Sequence, residues 1–142
     1  MAEEFISRSA EETTRWGREF AARVVAPVVV YLSGELGAGK TTLTKGIVAG
    51  LGAAAEEDVT SPTFTLVQVY GRDPRVFHAD LYRVESLPDF ESLGMEDLFA
   101  RPGILIVEWP ERFTLHSPWP EARIRLEPLG GDRRRITVVR QP

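Results

Sequence analysis

Apolar residues occur along the chain either in continuous runs or in alternation with charged residues, and both patterns predict short secondary-structure elements. Continuous runs are typical of strands buried on both faces, whereas alternation is typical of strands with one exposed face. Strands are predicted at residues 4–7, 28–32, 63–70, 75–79, 104–108, 123–127 and 133–139. Helices are predicted from Ser9, whose spacing to Glu12 fits a capping box, to about Arg23, at 41–51, and within 87–100.

The order of these elements predicts an α/β fold. Strand–loop–helix units in the first part of the chain are typical of a mostly parallel central sheet flanked by helices, and we expect some antiparallel edges. The last two strands are joined by Leu-Gly-Gly-Asp, so we expect a C-terminal antiparallel hairpin with one face exposed. With 142 residues and no internal repeat, the chain is interpreted as a single domain, residues 1–142.

Composition narrows the possible functions. Hydrophobic residues make up 43% of the chain and charged residues 27%, which is typical of soluble globular proteins. The net charge of −4 argues against broad nucleic-acid binding and against a DNA partner, although it leaves a local basic patch open. The chain has no cysteine and two histidines, so a thiolate zinc site is excluded and a histidine metal site is not expected. The longest uncharged apolar stretch, 24–34, is too short to span a membrane, and we expect a cytoplasmic protein with no membrane partner.

A glycine-rich segment between the second strand and the second helix carries the clearest chemical signal. Gly34 to Thr41, GELGAGKT, matches G-x-x-x-x-G-K-[ST], the phosphate-binding loop of nucleoside triphosphatases. Its glycines let successive amide hydrogens point inward, and the helix that follows adds its positive end. Lys40 is predicted to reach the β- and γ-phosphates, and Thr41 to offer its hydroxyl to Mg²⁺. The strand before the loop and the helix after it favour a P-loop NTPase-like domain over a chance match.

Two acidic residues are candidates for the carboxylate that such a site needs beside Mg²⁺. Glu108 ends GILIVE, the most apolar strand after the loop, and ligands of open α/β sheets bind at the carboxyl ends of the strands. If this strand lies beside residues 28–32, Glu108 faces the phosphates. Otherwise it only marks where the strand meets solvent. Asp80, which ends VFHAD, is the second candidate, and its alternative interpretation is a residue that caps the following turn.

Other residues keep two interpretations. Ser61 and Thr63, in TSPT, either present hydroxyls to the γ-phosphate and its metal or belong to an ordinary proline-containing turn. Trp109 is either a core aromatic residue or part of an interface, where large aromatic residues concentrate binding energy. Arg133–Arg135 are interpreted as an exposed hairpin strand, with a phosphate-sensing arginine as the alternative. The two histidines are assigned no role.

Together these segments resemble a known family. GELGAGKTT, TSPTFTLVQVY, HADLYR, SLGMEDLF and IVEWPER, in this order and at these spacings, are similar to the TsaE (YjeE) ATPases of bacteria, and the resemblance runs from the first helix through Arg112. It implies a small P-loop domain that binds and hydrolyses ATP with Mg²⁺, weakly when alone, together with two partner proteins, TsaB and TsaD. That complex makes threonylcarbamoyladenosine beside the anticodon of tRNAs that read codons starting with A. TsaD performs the transfer, and the ATPase would meet tRNA only through the complex.

The resemblance also implies roles for individual residues. Lys40 and Thr41 would hold phosphate and Mg²⁺. Asp80 and Glu108 would flank the metal, so Lys40, Asp80 and Glu108 form the catalytic set. Trp109 follows the catalytic glutamate. The nucleotide-binding set is Glu35, Leu36, Gly37, Ala38, Gly39, Lys40, Thr41, Thr42, Ser61, Thr63 and, near the base, Thr13. The C-terminal hairpin carries no matching motif.

Three rival functions share the loop motif. A small P-loop metabolite kinase would need an acceptor pocket and an arginine-bearing lid, which residues 133–135 could form. A GTPase usually recognises guanine through an Asn-Lys-x-Asp loop, and this chain has no asparagine. A nucleotide-switched binding module without significant hydrolysis would keep the loop but need no acid that orients water.

Overall fold

We describe the protein from a computed structural model, which covers residues 2–35, 37–60, 67–72 and 74–141, with the backbone alone at Gln141. The strands are β1 Ala2–Ser7, β2 Val28–Gly34, β3 Val67–Tyr70, β4 Arg75–Asp80, β5 Gly103–Glu108, β6 Glu121–Gly130 and β7 Arg133–Gln141. The helices are α1 Ala10–Ala21, α2 Lys40–Gly50 and α3 Leu87–Ser92, with 3₁₀ turns at Glu56–Asp58, Met95–Ala100 and Pro110–Arg112. No helix in this part of the chain is long and apolar enough to cross a membrane.

The strands form one sheet of mixed direction in the order β1-β7-β6-β2-β5-β4-β3. The α/β class is confirmed, but the expectation of a mostly parallel sheet is only partly right. Among the described residues, β6, β2, β5 and β4 pair in parallel, while the outer pairs β1–β7, β7–β6 and β3–β4 are antiparallel. The short turns that join β3 to β4 and β6 to β7 force antiparallel pairing, because a parallel pair needs a crossover of a dozen or more residues.

The C-terminal hairpin is part of the central sheet. Its first strand, β6, pairs in parallel with β2, so that Gly34 at the end of β2 lies opposite Leu126. Ala122, Ile124 and Leu126 are buried and alternate with exposed Arg123 and Arg125, which confirms the prediction of one exposed face. The hairpin therefore lies beside the end of β2, where the glycine-rich loop begins.

The two faces of the sheet carry separate apolar clusters. α1 and α2 cover one face, where Phe20 and Leu43 are fully buried with alternate residues of the central strands. α3 and the 3₁₀ turn that follows cover the opposite face, where Phe90 and Met95 are buried with the other alternate residues. β5 lies between these layers and is buried along its whole length. A strand with helices on both faces is expected to be a continuous apolar run, as residues 103–107 are.

The boundaries of several elements differ from the predictions. α1 ends at Ala21, two residues earlier than expected. The Ser9 side chain accepts from the Glu12 amide at 3.1 Å, as a capping box requires, but the Glu12 carboxylate accepts from the Arg8 amide. Only Val67–Tyr70 of the strand predicted at 63–70 falls within the described residues.

Gly46 lies where α1 and α2 approach each other most closely. A Cβ atom added there would lie 2.2 Å from the carbonyl oxygen of Thr14. A backbone atom cannot move aside by rotating a side chain, so the two helices would have to separate. Because α2 begins at the glycine-rich loop, this contact also fixes where the loop ends.

We expect Gly46→Ala to lower the free energy of unfolding by about 2 kcal/mol. Overpacking of a core contact costs about 1–3 kcal/mol, with the close backbone contact favouring the upper end, and the better helix propensity of alanine returns about 1 kcal/mol. Urea denaturation measures the change. Lys45→Ala, at the preceding position of α2, is the matched control and should stay within about 0.5 kcal/mol of the wild type. A Gly46→Ala protein as stable as Lys45→Ala would contradict the packing argument.

Candidate active site

The glycine-rich loop, residues 34–39, joins β2 to α2 at the carboxyl end of the parallel strands. Gly37 and Gly39 have φ angles of 80° and 103°, in the left-handed region where a side chain is strained. Ala38 between them is fully buried. The predicted site residue Leu36 lies outside the described residues. The loop therefore has the backbone conformation that the sequence motif requires at the residues that are described.

The amino end of α2 is arranged to accept an anion. Gly39 is its N-cap residue and supplies no side-chain cap, and the first turn contains no acidic residue. The amide groups of the first turn and the helix dipole give such an end partial positive charge. Thr41 and Thr42, which follow Lys40 in the first turn, are half-buried there. Phosphate is an anion that suits this arrangement.

Lys40 bends back onto the loop from which its helix begins. Its Nζ donates to the carbonyl oxygen of Gly34 at 2.7 Å and to that of Glu35 at 2.9 Å, and the side chain is buried. Burial lowers the pKa of Lys40, and the carboxylates of Glu108, Glu111 and Asp80 oppose that shift. The ammonium is thus held by neutral carbonyl groups at the position where the motif predicts phosphate.

Trp109 covers the other side of the Lys40 ammonium. The Nζ atom lies 4.1 Å from the centre of the indole ring, within the range of a cation–π contact. The Tyr82 ring lies 4.9 Å from that of Trp109. Trp109 has φ 61°, the one positive φ outside glycine among the described residues, and a bulky residue adopts this conformation at a cost. Trp109 is half-buried, packed against the apolar cluster of Phe90 and Met95 on one side and against Lys40 on the other, which agrees with its interpretation as a core aromatic residue. The interface interpretation stays a prediction.

The two candidate carboxylates lie side by side. β5 is hydrogen-bonded to β2 and to β4, and Glu108 stands in register with Leu32 on one side and Asp80 on the other. The adjacency that the prediction for Glu108 required is therefore present. Glu108 is 2% exposed, and it shares with Ile106 the sheet face that α2 covers. Asp80 is half-buried at the same edge of the sheet.

Asp80 is an acid whose charge the fold disfavours. Burial raises its pKa, and the nearby carboxylate of Glu108 raises it further. The Tyr82 amide, which donates to Asp80 Oδ1 at 2.9 Å, and the Lys40 ammonium act in the opposite direction. A group held in this way is suited to bind a cation, because a positive charge would favour its ionised form.

The oxygen atoms at this edge fit Mg²⁺. A hydroxyl at Thr41 and carboxylates at Asp80 and Glu108 are hard ligands, and Mg²⁺ in phosphate sites usually takes one or two carboxylates together with substrate phosphates. Among the described residues there is no cluster of three or more histidine, cysteine or acidic side chains that would hold a metal alone. The arrangement therefore fits a metal that arrives with a phosphate-bearing ligand.

Thr13 lies in a polar contact between β1 and α1. It is 2% exposed and its hydroxyl lies 2.7 Å from Ser7 Oγ, which itself donates to the carbonyl of Ser9. This contact ties β1 to the start of α1, and the contact of Thr13 with a base stays a prediction. The predicted site residues Ser61 and Thr63 lie outside the described residues.

The structure brings to the site His78, to which sequence analysis assigned no role, and Arg134, whose range 133–135 it had left with two interpretations. His78 is fully buried, and its Nε2 lies 2.5 Å from Glu108 Oε2. Period-two alternation along β4 would have placed it on the same face as Asp80, but only the strand order shows that Glu108 is its neighbour. Arg134 donates from Nε to the carbonyl of Ala38 at 3.0 Å and from Nη2 to that of Gly37 at 3.4 Å. The hairpin arginines are thus not uniformly exposed, because the middle one holds the loop.

The chain is similar to known proteins along most of its length. A family model described as "Threonylcarbamoyl adenosine biosynthesis protein TsaE" matches residues 7–136. Proteins named "tRNA threonylcarbamoyladenosine biosynthesis protein TsaE" are similar along most of their lengths. That of Treponema pallidum is 41% identical over 134 residues, 94% of this chain and 98% of the relative. That of Aquifex aeolicus is 37% identical over 142 residues, 99% of this chain and 98% of the relative.

A solved structure is similar across the whole fold. The crystal structure of Bacillus subtilis YdiB matches with a TM-score of 0.77 and 30% sequence identity, covering 100% of this chain and 87% of that one. The family match, for its part, begins at the end of β1 and extends into β7. It therefore includes the glycine-rich loop, both candidate carboxylates and the hairpin that holds the loop.

We expect Asp80→Asn to raise the melting temperature at pH 7, because the fold raises the pKa of Asp80 and so disfavours its charge. The direction of this pKa shift determines the pH range in which the gain in melting temperature appears. Below the ordinary value of 3.8 the carboxyl is protonated in both folded and unfolded chains, so the gain should disappear there and grow as pH rises. Thermal unfolding from pH 3 to pH 7 measures it. Asp132→Asn, at an exposed turn, should show no such trend. A gain that is independent of pH would contradict the electrostatic cause.

We expect Arg134→Ala to weaken ATP binding about tenfold, which corresponds to about 1.4 kcal/mol. Its guanidinium fixes two carbonyls of the glycine-rich loop, and hydrogen bonds that involve a charged group are the stronger kind. Isothermal titration calorimetry measures the affinity. Arg133→Ala, which removes an exposed arginine from the adjacent position, is the matched control. Equal affinities of the two variants would show that Arg134 does not support the loop.

Proposed function

Since the chain belongs to the TsaE family of threonylcarbamoyl adenosine biosynthesis proteins, we propose that it is the Mg²⁺-dependent ATPase of that process, acting with TsaB and TsaD. The resemblance that the sequence motifs indicated is confirmed, and with it a role in tRNA threonylcarbamoyladenosine biosynthesis. ATP hydrolysis, the P-loop NTPase character of the fold, the two partners and a cytoplasmic location are parts of the proposal. Contact with tRNA takes place through the complex, in keeping with the net charge of −4.

The observation that carries the proposal is the register of three adjacent parallel strands. Leu32, Glu108 and Asp80 lie in one row at the carboxyl ends of β2, β5 and β4, and the glycine-rich loop begins two residues beyond Leu32. This row places a loop suited to phosphate beside two carboxylates. Phosphoryl transfer depends mostly on positioning and on electrostatic stabilisation, and this arrangement can provide both.

Each residue of the proposed site has its own role in binding ATP or in its hydrolysis. Lys40 exchanges its two carbonyl partners for the β- and γ-phosphates, where the partners are charged and the bonds are stronger. The first-turn amides of α2 donate hydrogen bonds to the same phosphates. Thr41, Asp80 and Glu108 are the residues that would hold Mg²⁺, which supplies positive charge to neutralise the phosphates. Glu108 also orients the attacking water, since it is the more deeply buried of the two acids.

The rival functions receive less support. A metabolite kinase would need mobile arginines as a lid, but Arg134 binds the loop and Arg135 pairs with Glu4 at 3.5 Å. A GTPase would need a guanine-reading loop, and the chain has no asparagine for the usual one. A nucleotide-switched module without hydrolysis differs from the proposal in turnover alone, so turnover is the quantity to measure.

We expect Glu108→Gln to leave ATP affinity within a few-fold of the wild type and to lower turnover about 10²–10⁴-fold, the usual contribution of a general base. The change keeps the size of the side chain and removes its charge. ATP hydrolysis is measured with TsaB and TsaD present, and affinity by calorimetry. Glu96→Gln, at an exposed carboxylate away from Lys40, is the matched control and should keep its activity.

Other outcomes would each exclude one part of the proposal. Lys40→Ala should lose tight ATP binding, and unchanged affinity would exclude the loop as the nucleotide site. Full activity of Glu108→Gln together with an inactive Asp80→Asn would reverse the roles of the two acids. Absence of turnover in the wild-type protein with both partners would leave the nucleotide-switched module as the function.

A further inference from the structure

The carboxylate of Glu108 is hydrogen-bonded to a histidine that the proposed chemistry does not use. His78 Nε2 lies 2.5 Å from Glu108 Oε2, and the two side chains are 0% and 3% exposed. The geometry points to His78 as a positioning residue, one that fixes the orientation of the Glu108 carboxylate for hydrolysis. This inference rests on the proposed ATPase function.

The direction of the hydrogen bond follows from the chemistry of the two groups. With the carboxylate of Glu108 as the acceptor, the Nε2 atom of His78 carries the proton and donates. The other ring nitrogen, Nδ1, is buried and has no hydrogen-bond partner among the described residues. The ring is thus placed so that Nε2 serves Glu108, while Nδ1 lacks a partner in the part of the chain that the structure describes.

An unsatisfied buried nitrogen is a reason to look for a role. Buried polar atoms are nearly always paired, and an apolar side chain at position 78 would avoid the unpaired nitrogen. Apart from Asp80 and Glu108 at the carboxyl edge, the neighbouring alternate positions on the same sheet face are apolar, namely Val76 on β4 and Ile104 and Ile106 on β5. Core packing alone would therefore be met by another apolar residue. An apolar residue cannot supply the N–H group that donates a hydrogen bond to Glu108.

The position of His78 determines what its hydrogen bond can do. His78 and Asp80 project on the same face of β4, and Asp80 is the register partner of Glu108, so His78 stands two positions further from the carboxyl edge. The hydrogen bond from His78 therefore reaches Glu108 Oε2 from the side that lies away from the carboxyl edge of the sheet. The last torsion of a glutamate side chain is broad, and a planar carboxylate tied at one oxygen has its second oxygen fixed as well. Misplacement of a catalytic group by about 1 Å can cost about 10²-fold in rate.

The competing explanation is purely structural: His78 only compensates the buried charge of Glu108. Both explanations predict a lower melting temperature when the donor is lost. Only the positioning role predicts that turnover falls while ATP affinity stays, that a donor at the same place restores it, and that the effect requires Glu108. Those three readouts separate the two explanations.

The experiment compares His78→Met, which removes the donor at similar volume, with His78→Gln, whose amide nitrogen can take the place of Nε2. With TsaB and TsaD present, His78→Met should lower kcat about 10- to 100-fold, the range seen when a supporting hydrogen bond is lost. Its KM and its ATP affinity by calorimetry should stay within about threefold. His78→Gln should recover most of the lost kcat. His116→Met, at an exposed histidine, is the control and should behave as wild type.

A double-mutant cycle tests the dependence on Glu108. In a Glu108→Gln background, His78→Met should change kcat less than about twofold, because the group that it positions has already been altered. Wild-type kcat in His78→Met with only a lower melting temperature would overturn the inference. So would equal losses in His78→Met and His78→Gln, or additive losses in the cycle. If His78→Met does not fold, His78→Asn replaces it, since its shorter amide stays polar but does not reach Glu108.

A readout without turnover keeps this inference separate from the proposed function. Crystal structures of the three proteins show the orientation of the Glu108 carboxylate directly. We expect it to be rotated or displaced in His78→Met and to match the wild type in His78→Gln. An unchanged carboxylate in His78→Met would overturn the positioning role even if the enzyme is active. If the carboxylate is displaced in His78→Met but the wild-type protein hydrolyses no ATP, the positioning role is supported and the ATPase function is refuted.

Discussion

The site depends on the burial of a carboxylate at the end of a fully buried strand. Moving an ionised carboxylate out of water costs several kcal/mol, and an opposite charge or hydrogen-bond donors must offset that cost. Glu108 receives the His78 donor from β4, and the positive charge of Lys40 acts on it across β2. β5 must therefore lie between β4 and β2, since either neighbour alone leaves the acid with one source of stabilisation. The chemistry of the site therefore requires this strand order.

The same burial explains the resting position of Lys40. In a site with little water, an ammonium needs partners, and in this structure these are the carbonyls of Gly34 and Glu35 and the ring of Trp109. None of these partners carries a full negative charge. They hold the lysine in place but compete weakly with a polyphosphate. Arg134 likewise holds the glycine-rich loop in place, because its guanidinium donates to the carbonyls of Gly37 and Ala38.

Local signals predicted much of this fold and little of its long-range geometry. β2, β5 and α2 each have a strong signal of their own: a continuous apolar run, or a glycine-rich loop followed by a helix. The contact of Arg134 with Ala38 joins residues 96 apart, and nothing near either residue indicates it. The role of His78 was missed for the same reason, since its partner is 30 residues away. The sheet was expected to be mostly parallel because the pairing of β1 with β7 has no local signal.

The neighbours of β2 come from late in the chain. Ser33 donates to the carbonyl of Ile124, 91 residues further on, and β5 lies between them in sequence. On the ribosome the chain emerges from its amino end, so the glycine-rich loop appears long before either strand that flanks it. Until then β2 is an apolar strand with two unpaired edges, the kind of segment that associates with other chains. A growing chain therefore completes this site only after β6 has been made, and either rapid completion or a chaperone must protect β2 in the interval.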